Sequence, residues 1–566
     1  MASRVPQDIG DYPFDLIVVG AGINGAGIAR DAAMRGLRVL LLDKGDIASG
    51  TTQWATRLIH GGLRYLEYYE VSLVRESLKD REILLHIAPH LVKPLGFLVP
   101  IYERAKHGPL MVRLGMFGYD TLSLDKSLPN HRMLSVEEAL EREPGLNPEG
   151  LRGAAFYYDA QVEYAERIAV ENAISAHEHG AVVLTYARVD RLVRQGDRVT
   201  GVEFTDVLGG GTYQAHAPVT VNVAGPWVDE VLGDVSEGRM IGGTKGSHLI
   251  VDPFPGAPKN EALYVEARRD GRPYFIVPWN GRYLIGTTDI RYDGDLDRVV
   301  ADEEEIDYLI EETNYVIPEA NLTRESVLFT YSGIRPLPYQ PEGAEGSVTR
   351  SHIVYDHARG RGIGTKRSSV GEDATRVEGL ISIVGGKLTT YRNLSRQTVD
   401  MVYEKIGREA PESRTSKVPL PGGETDDFEA FAARFKATSG LTDELSERLL
   451  KLYGVRALDV LELAGEDSSL RMPLGPSARV ESGIIGAEVL YALRRELAQT
   501  LSDVLLRRTM VGLGPNVGLD VDEAAAQVAV KHEGWSEERA RNETEAYREY
   551  VERYKPKVMR DEAAKV

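Results

Sequence analysis

The chain has 566 residues, which is too long for one hydrophobic core and predicts two or three domains. Lys and Arg number 67 against 86 Asp and Glu, and the net charge of −19 argues against general nucleic-acid binding. There is no cysteine, which excludes disulfides, thiolate iron–sulfur clusters and cysteine nucleophiles. No segment approaches the roughly 20 apolar residues that span a bilayer, and residues 1–12 lack a signal-peptide pattern. We therefore expect a cytoplasmic globular protein, for which an amphipathic contact with a membrane surface is still open.

Residues 15–43 have the pattern of a dinucleotide-binding βαβ unit. An apolar strand at 16–19 is followed by Gly-Ala-Gly-Ile-Asn-Gly, a helix to residue 36, and a second apolar strand that ends at Asp43. Glycines let the backbone approach a pyrophosphate, and the helix N-terminus attracts that anion. A carboxylate at Asp43 would accept a hydrogen bond from a ribose hydroxyl and repel a 2′-phosphate. The combination predicts a bound dinucleotide.

The rest of the chain divides into pieces of different character. Strands that end in glycine turns, at 219–227 and 380–392, would complete the nucleotide sheet, whereas 242–339 reads as antiparallel β-structure. We predict an α/β plus α+β fold in which a discontinuous Rossmann-like nucleotide-binding domain (1–80, 156–230 and 344–410) contains an inserted antiparallel-sheet substrate domain (81–155 and 231–343). A helical C-terminal domain (411–566) would follow, with helices at 428–438, 443–452, 487–507, 522–532 and 536–554.

Five motifs occur in a recognisable order: 20–29 (GAGINGAGIA), 58–67 (LIHGGLRYLE), 245–248 (KGSH), 331–336 (YSGIRP) and 385–392 (GGKLTTYR). With them the chain resembles the FAD-dependent glycerol-3-phosphate dehydrogenases, within the D-amino-acid-oxidase-like flavoproteins, over nearly its whole length. The resemblance implies FAD as cofactor and oxidation of sn-glycerol 3-phosphate to dihydroxyacetone phosphate, with electrons passed to a quinone. It also implies peripheral attachment to the inner face of the cell membrane. The expected partners include a second copy of the chain, in a homodimer, and exclude nucleic acid.

The resemblance also carries roles onto positions of this sequence. The FAD-binding residues it implies lie in the glycine turns and in the loop after Asp43: Gly20, Gly22, Asn24, Gly25, Asp43, Ser49, Thr51, Thr52, Ala224, Gly225, Gly386 and Lys387. The substrate-binding residues it implies are Arg64, Tyr65, His248, Arg335, Arg350 and Lys387. Arg57 stands where some relatives carry lysine, which leaves its role open.

The residue chemistry agrees with these roles. A phosphate dianion is bound bidentately by arginine forks, and a protein of charge −19 needs a locally basic pocket to attract it. Arg335, between Gly333 and Pro336, is the first candidate. Oxidation of a secondary alcohol needs a base for the hydroxyl proton, and His248 is the first candidate and His60 the second. Lys387 would stabilise negative charge on the flavin.

Several alternatives stay open at this point. An oxidase would keep FAD and the substrate but pass electrons to oxygen, and an amino-acid oxidase of the same superfamily would replace the phosphate by a carboxylate. A flavin-binding protein without turnover, or an NAD-dependent dehydrogenase, agrees less well with the clustered polar residues and the interrupted nucleotide domain. No metal site is predicted, because neighbouring residues such as His177-Glu178-His179 do not share a helix face.

Overall fold

Twenty strands and sixteen helices make up the computed structural model, which describes residues 4–124, 126–235, 238–340, 348–363, 376–465, 467–475 and 483–563. The strands are β1 (Leu16–Val19), β2 (Val39–Leu42), β3 (Leu58–Ile59), β4 (Val92–Tyr102), β5 (Arg132–Leu134), β6 (Leu151–Val162), β7 (Val182–Leu184), β8 (Ala187–Gln195), β9 (Arg198–Asp206), β10 (Thr212–His216), β11 (Val219–Asn222), β12 (Thr244–Val251), β13 (Glu261–Glu266), β14 (Pro273–Trp279), β15 (Arg282–Gly286), β16 (Ile290–Arg291), β17 (Val327–Arg335), β18 (Ile353–Asp356), β19 (Arg361–Ile363) and β20 (Leu380–Val384). The helices are α1 (Ile23–Met34), α2 (Val71–Ile87), α3 (Pro109–Thr121), α4 (Val136–Arg142), α5 (Ala165–Glu178), α6 (Val228–Leu232), α7 (Glu303–Val316), α8 (Tyr391–Lys405), α9 (Phe428–Thr438), α10 (Asp443–Tyr453), α11 (Ala457–Leu463), α12 (Gly486–Arg495), α13 (Leu501–Asp503), α14 (Asp522–Glu533), α15 (Glu537–Val551) and α16 (Lys557–Ala563).

The first large sheet is the predicted nucleotide sheet. Its order is β19-β18-β20-β11-β1-β2-β7, and the strands from β20 to β7 are parallel. Because both faces of such a sheet are covered, its strands are apolar throughout, and β1 and β2 are completely buried. Helix α1 packs against α5 and α8, and Gly27 permits close contact because a Cβ there would lie 2.7 Å from the Tyr391 ring.

The second large sheet has ten strands and is antiparallel except between β4 and β13. The order is β16-β12-β15-β14-β13-β4-β6-β3, with β17 on β12 and β5 on β6. Together with the C-terminal helices, these sheets confirm the predicted fold class. The predicted domain limits stay a prediction, although the limit at residue 155 falls inside β6. A three-stranded sheet, β10-β9-β8, was not predicted as a separate unit.

Four of the five predicted C-terminal helices are present as α9, α10, α14 and α15, but the single helix expected over 487–507 is wrong, and α11 and α16 were not predicted. Helix α12 ends at Arg495, and Leu497 adopts a positive φ of 61°. A new helix, α13, begins after Thr500, whose side chain caps it. It continues as a π-helix over Val504–Arg508. Apolar periodicity continues through this break, so the sequence pattern did not reveal it. None of the helices among the described residues combines the length and apolarity needed to cross a bilayer.

Candidate active site

A cavity of about 1610 Å³ lies where the two large sheets and the C-terminal helices meet. One wall is formed by the turns after β1, β2, β11 and β20, at the carboxyl edge of the parallel strands. This edge is the ligand-binding position of doubly wound sheets. A second wall comes from β12 and β17, and a third from α13 and α15.

The glycine turn after β1 brings backbone to the cavity wall. Gly20 has a φ of 112°, and a Cβ there would lie 2.6 Å from the Val223 carbonyl oxygen. Gly22 caps α1, and a Cβ at this position would meet only the Thr52 hydroxyl, at 3.4 Å. The fold therefore has room for a methyl group at Gly22. Because glycine has no side chain, the backbone at this position is open to the cavity. Thr52 accepts a hydrogen bond from the Ile23 N–H at 3.0 Å, which fixes the loop beside the helix N-terminus.

Asp43 joins the end of β2 to the glycine turn. Its carboxylate accepts hydrogen bonds from the backbone N–H of Ala21 at 2.6 Å and of Gly45 at 2.8 Å. Burial raises the pKa of Asp43, against the effect of these two donors. The side chain also lines the cavity, where a ribose hydroxyl would find a hydrogen-bond acceptor.

The other predicted cofactor residues converge on the same wall, with one exception. The predicted cofactor residues that line the cavity are Gly20, Gly22, Asn24, Asp43, Ser49, Thr51, Thr52, Ala224, Gly225, Gly386 and Lys387. Gly25 lies off the wall, and a Cβ there would lie 1.7 Å from the Gly20 carbonyl oxygen, so its glycine serves the turn itself. The Asn24 Oδ1 atom is buried and has no hydrogen-bond partner among the described residues. Open backbone, a helix N-terminus, an acid after β2 and this unpaired oxygen fit a dinucleotide.

On the opposite wall, Arg335 lies across a glycine. Strand β17 pairs with β12 so that Thr244 faces Arg335 and Gly246 faces Gly333. The Arg335 guanidinium leans over Gly246, because a Cβ at Gly246 would lie 2.4 Å from its Nη2. Only glycine leaves room for this arginine on the sheet face.

Asp289 holds two arginines together at this wall. It accepts from Arg335 Nη1 at 3.1 Å through Oδ1 and from Arg350 Nη2 at 3.0 Å through Oδ2. Burial tends to raise the pKa of Asp289, but the two guanidinium groups outweigh it and lower that pKa below its ordinary value. Arg335 also donates to the Thr287 hydroxyl at 3.0 Å. One carboxylate thus orients two cavity-lining cations, and their excess positive charge suits an anion.

His248 lies two residues after Gly246 in β12 and therefore on the same face of the sheet. Its Nε2 is 3.0 Å from the Thr56 hydroxyl on the cavity wall, and its Nδ1 is buried with no hydrogen-bond partner among the described residues. Burial and then the charge of Arg335 lower the pKa of His248 well below the ordinary value. The ring is therefore neutral near pH 7 and can accept a proton.

His60 and Lys387 meet at the junction of the two sheets. Lys387 Nζ donates to the carbonyl oxygens of His60 at 3.1 Å and Gly61 at 3.4 Å, and to the Ser77 hydroxyl at 2.9 Å. Burial lowers the pKa of Lys387 to about 7. Burial and then Lys387 lower the pKa of His60 well below its usual value. Both side chains line the cavity, as does Tyr65, whose ring lies 4.8 Å from Lys387 Nζ.

Two basic residues from the sequence analysis are not part of the arginine pair on Asp289. Arg64 is off the cavity wall and donates to the Tyr68 hydroxyl at 3.3 Å, so its predicted substrate role stays a prediction. Arg57 lines the cavity but is fully buried, and both of its terminal nitrogens bond to Glu166, at 2.7 and 2.9 Å. The motif containing His177 and His179 lies at the exposed end of α5.

Sequence reasoning missed Asp289, which lies behind the cavity wall, and two groups that line the cavity. Asp289 follows β15 and the small residues Gly286, Thr287 and Thr288, and a carboxylate after such a stretch was the available signal. Thr56 had no signal of its own. The cavity residues from the C-terminal helices, Arg507 and Tyr550 among them, could not be predicted because nothing local places them near the nucleotide sheet.

The fold and this cavity define a class of flavoprotein. The family model of the FAD dependent oxidoreductases matches residues 15–392, and that of the C-terminal domain of alpha-glycerophosphate oxidase matches residues 413–540. The cofactor is therefore FAD, as predicted. The chain belongs to the family of the FAD-dependent glycerol-3-phosphate dehydrogenases, and the resemblance found in the five motifs is confirmed.

Three relatives illustrate this membership. A glycerol-3-phosphate dehydrogenase of Synechocystis sp. is 46% identical over 96% of this chain and 97% of its own. A D-erythritol 1-phosphate dehydrogenase of Brucella abortus is 39% identical, over 88% and 94%. The crystal structure of the glycerol-3-phosphate dehydrogenase from Bacillus halodurans complexed with FAD is 29% identical, covers 97% of this chain and 96% of its own, and has a TM-score of 0.74.

Proposed function

We propose that this enzyme oxidises sn-glycerol 3-phosphate to dihydroxyacetone phosphate with FAD and passes the electrons to a membrane quinone. The observation that carries the substrate assignment is the pair of arginines held by Asp289, both of which line the same cavity as His248. A phosphate dianion matches two oriented guanidinium forks better than a single carboxylate does. The names of the Synechocystis and Brucella relatives describe dehydrogenases of polyol phosphates, which supports the same substrate class for this enzyme.

The cofactor would lie along the glycine wall. Gly20, Gly22 and the N-terminus of α1 would hold the diphosphate, and Asp43 would accept from the adenosine ribose. Asn24 Oδ1 is an acceptor, so its partner would be a hydroxyl group of the cofactor and not the diphosphate, which has no donor. The flavin end would lie toward Thr51 and Lys387, which are at the junction with the ten-stranded sheet. Bound FAD supplies the acceptor for a hydride from the substrate carbon.

The substrate would lie between the arginine pair and His248. Arg335 and Arg350 would bind the phosphate and orient the secondary alcohol. His248 Nε2, next to Thr56 on the cavity wall, would take the hydroxyl proton while the hydride leaves the carbon. Lys387 would place a positive charge beside the flavin.

Anaerobic reduction tests this proposal directly. Adding glycerol 3-phosphate without oxygen should bleach the visible flavin bands, because the reduced cofactor then has no acceptor. Glycerol, which lacks the phosphate, and D-alanine, an amino-acid oxidase substrate, should bleach them far more slowly. Bleaching by D-alanine and not by glycerol 3-phosphate would contradict the proposed substrate class.

An exposed apolar face on α3 supports the membrane part of the proposal. Leu110, Met111, Leu114 and Phe117 project from this helix and are between 56% and 72% exposed. Arg113 on the same helix and the preceding Lys106 are exposed cations. Apolar side chains with basic neighbours suit the surface of an anionic bilayer. No other described helix exposes four large apolar side chains.

The buried face of α3 is connected to the cavity wall through contacts of Tyr119, Gly61 and Lys387. Tyr119 is buried and donates to Asp159 Oδ2 at 2.7 Å, and it lies so close to Gly61 that a Cβ there would be 2.3 Å from its hydroxyl. Gly61 in turn accepts from Lys387. A lipid-soluble quinone at α3 would therefore lie at a helix whose buried face is in contact with Gly61, next to Lys387 at the proposed flavin end.

Charge on the α3 face should weaken membrane binding. The double variant Leu114→Glu, Phe117→Glu removes two side chains that would enter the bilayer, each worth roughly 1.5–3 kcal/mol when fully buried. We expect its partitioning onto phosphatidylglycerol vesicles to fall by at least about tenfold, together with turnover on vesicle-embedded quinone. Sedimentation with vesicles measures the first effect and quinone reduction the second.

Leu458→Glu is the matched control, since Leu458 is 52% exposed on α11 in the C-terminal domain. It should bind vesicles as the unmodified protein does, and all variants should keep their FAD. Equal loss of vesicle binding in the control and the α3 variant would remove α3 from the proposal. A protein that never sediments with vesicles, reduces no quinone and consumes oxygen would instead be an oxidase.

A further inference from the structure

The third wall of the cavity contains a buried arginine with one unused donor. Arg507, in the π-helix over Val504–Arg508, is 2% exposed and lines the cavity. Its Nε donates to Asp46 Oδ2 at 2.6 Å and its Nη2 to Asp503 Oδ1 at 2.9 Å. Its Nη1 is buried without a hydrogen-bond partner among the described residues. A buried, charged donor without a hydrogen bond costs folding free energy, so we expect a ligand to supply an acceptor for this nitrogen.

The charges around Arg507 keep it cationic. Burial acts to lower its pKa, but the carboxylates of Asp46 and Asp503 outweigh burial and raise that pKa well above the ordinary value. The next residue, Arg508, also bonds to Asp46, through Nη1 and Nη2 at 2.8 Å each. Both arginines belong to the π-helix, and π-helical turns are frequent at functional sites.

Arg507 is bonded to the loop that runs from the proposed ribose site to the N-terminus of α1. Asp46 belongs to the loop between Asp43, proposed at the ribose, and Thr52, beside the N-terminus of α1. The Ala48 N–H of this loop donates to the Ala21 carbonyl at 3.0 Å, which joins the loop to the glycine turn. On its other side, the loop is bonded to Arg507 through Asp46. Between the ribose and the flavin, a dinucleotide carries its diphosphate.

We propose that Arg507 Nη1 binds the FAD diphosphate, so that the C-terminal helices supply a ligand of the cofactor and retain it in the cavity. This inference rests on the placement of FAD along the glycine wall proposed above. A diphosphate oxygen is the acceptor that a cationic N–H prefers. In this arrangement the anion lies between the N-terminus of α1 and a guanidinium from the opposite wall.

A matched pair of lysine variants tests the contact. Arg507→Lys keeps a positive charge for Asp46 but loses Nη1. Arg508→Lys disturbs the same carboxylate, yet Arg508 is off the cavity wall and its Nε is already used by the Glu496 carbonyl at 2.8 Å. Titrating the full-length apoprotein with FAD, followed by flavin fluorescence, should show about 10- to 100-fold weaker binding for Arg507→Lys. Arg508→Lys should change the Kd by less than about threefold, although both variants lower the Tm of the apoprotein.

Two further probes identify what Nη1 binds. ADP, which carries the diphosphate without the flavin, should lose affinity for Arg507→Lys by the same factor as FAD. Unchanged ADP binding would overturn the diphosphate assignment, and equal FAD losses in the two lysine variants would reduce Arg507 to a structural role. Gly22→Val, at a position where the protein leaves room for a side chain, tests the glycine wall separately. If it purifies fully loaded with FAD, the placement of the cofactor fails, whatever Arg507 does.

Hydrogen exchange on the unmodified protein covers the case in which a variant does not fold. FAD binding to the apoprotein should slow amide exchange in peptides that span 501–508, because the ligand would bridge this segment to the glycine wall. Protection confined to the first and second walls would overturn the proposal.

Discussion

Arg335→Ala is expected to lower kcat/KM for glycerol 3-phosphate by about 30- to 4000-fold. Loss of one partner from a desolvated charge pair costs roughly 2–5 kcal/mol, and each ~1.4 kcal/mol is a factor of ten. Arg335 is held over Gly246 by Asp289 and Thr287, so its orientation is set before substrate arrives. Part of the loss should appear in kcat, because phosphate binding also positions the alcohol. Steady-state assays with a soluble dye acceptor measure both constants.

Arg272→Ala is the matched control for this variant. Arg272 bonds to the backbone carbonyl of the same Asp289 but does not line the cavity, so its loss should change kcat/KM by only a fewfold. Arg335→Lys should recover part of the activity, since a point charge replaces a fork. FAD content should stay normal in all three variants. The phosphate role is refuted if Arg335→Ala slows glycerol and glycerol 3-phosphate by the same factor.

His248→Gln is expected to lower kcat by about 100- to 10,000-fold, the range that general acid–base catalysis supplies. KM should change little, because in the proposed function the arginine pair and not His248 would hold the phosphate. Since burial holds the pKa of His248 well below its usual value, the imidazole is a ready base throughout the neutral range. Loss of activity through its protonation should therefore begin only below about pH 6.5, the ordinary histidine value. In the variant, the rate should keep rising with pH, as hydroxide replaces the missing base.

His60→Gln distinguishes the two candidate bases. His60 also lines the cavity, but its nearest cation is Lys387 and its ring packs against Phe275, with 6.3 Å between centroids. We expect a smaller loss than for His248→Gln and an unchanged pH profile. Interchanged results, with the hydroxide-dependent profile in His60→Gln, would assign the base to His60. Flavin absorbance in both variants verifies that the cofactor is bound.

Local sequence patterns determined the elements and the order of the motifs. The strand from Leu16 to Val19, the glycine turn and Asp43 could be predicted because buried parallel strands are continuously apolar and the turn needs glycines. Helix α9 was predicted with its observed limits, 428–438, because the amphipathic spacing of 3.6 residues is a property of a single segment. The five motifs likewise indicated the family and FAD. Each of these features depends on residues that are close together in the chain.

Contacts between distant segments were decided only by the tertiary structure. Arg335 and Arg350 lie 46 and 61 positions from the Asp289 that orients them, and the Lys387 ammonium is held by carbonyl groups more than 320 positions away. Arg507 reaches the cavity through an ion pair with Asp46 across 461 positions. A charged residue has the same local sequence pattern whether it faces solvent or a cavity. Its partner is chosen by how sheets and helices pack, and for this reason Arg64 was predicted at the cavity and Arg507 was not.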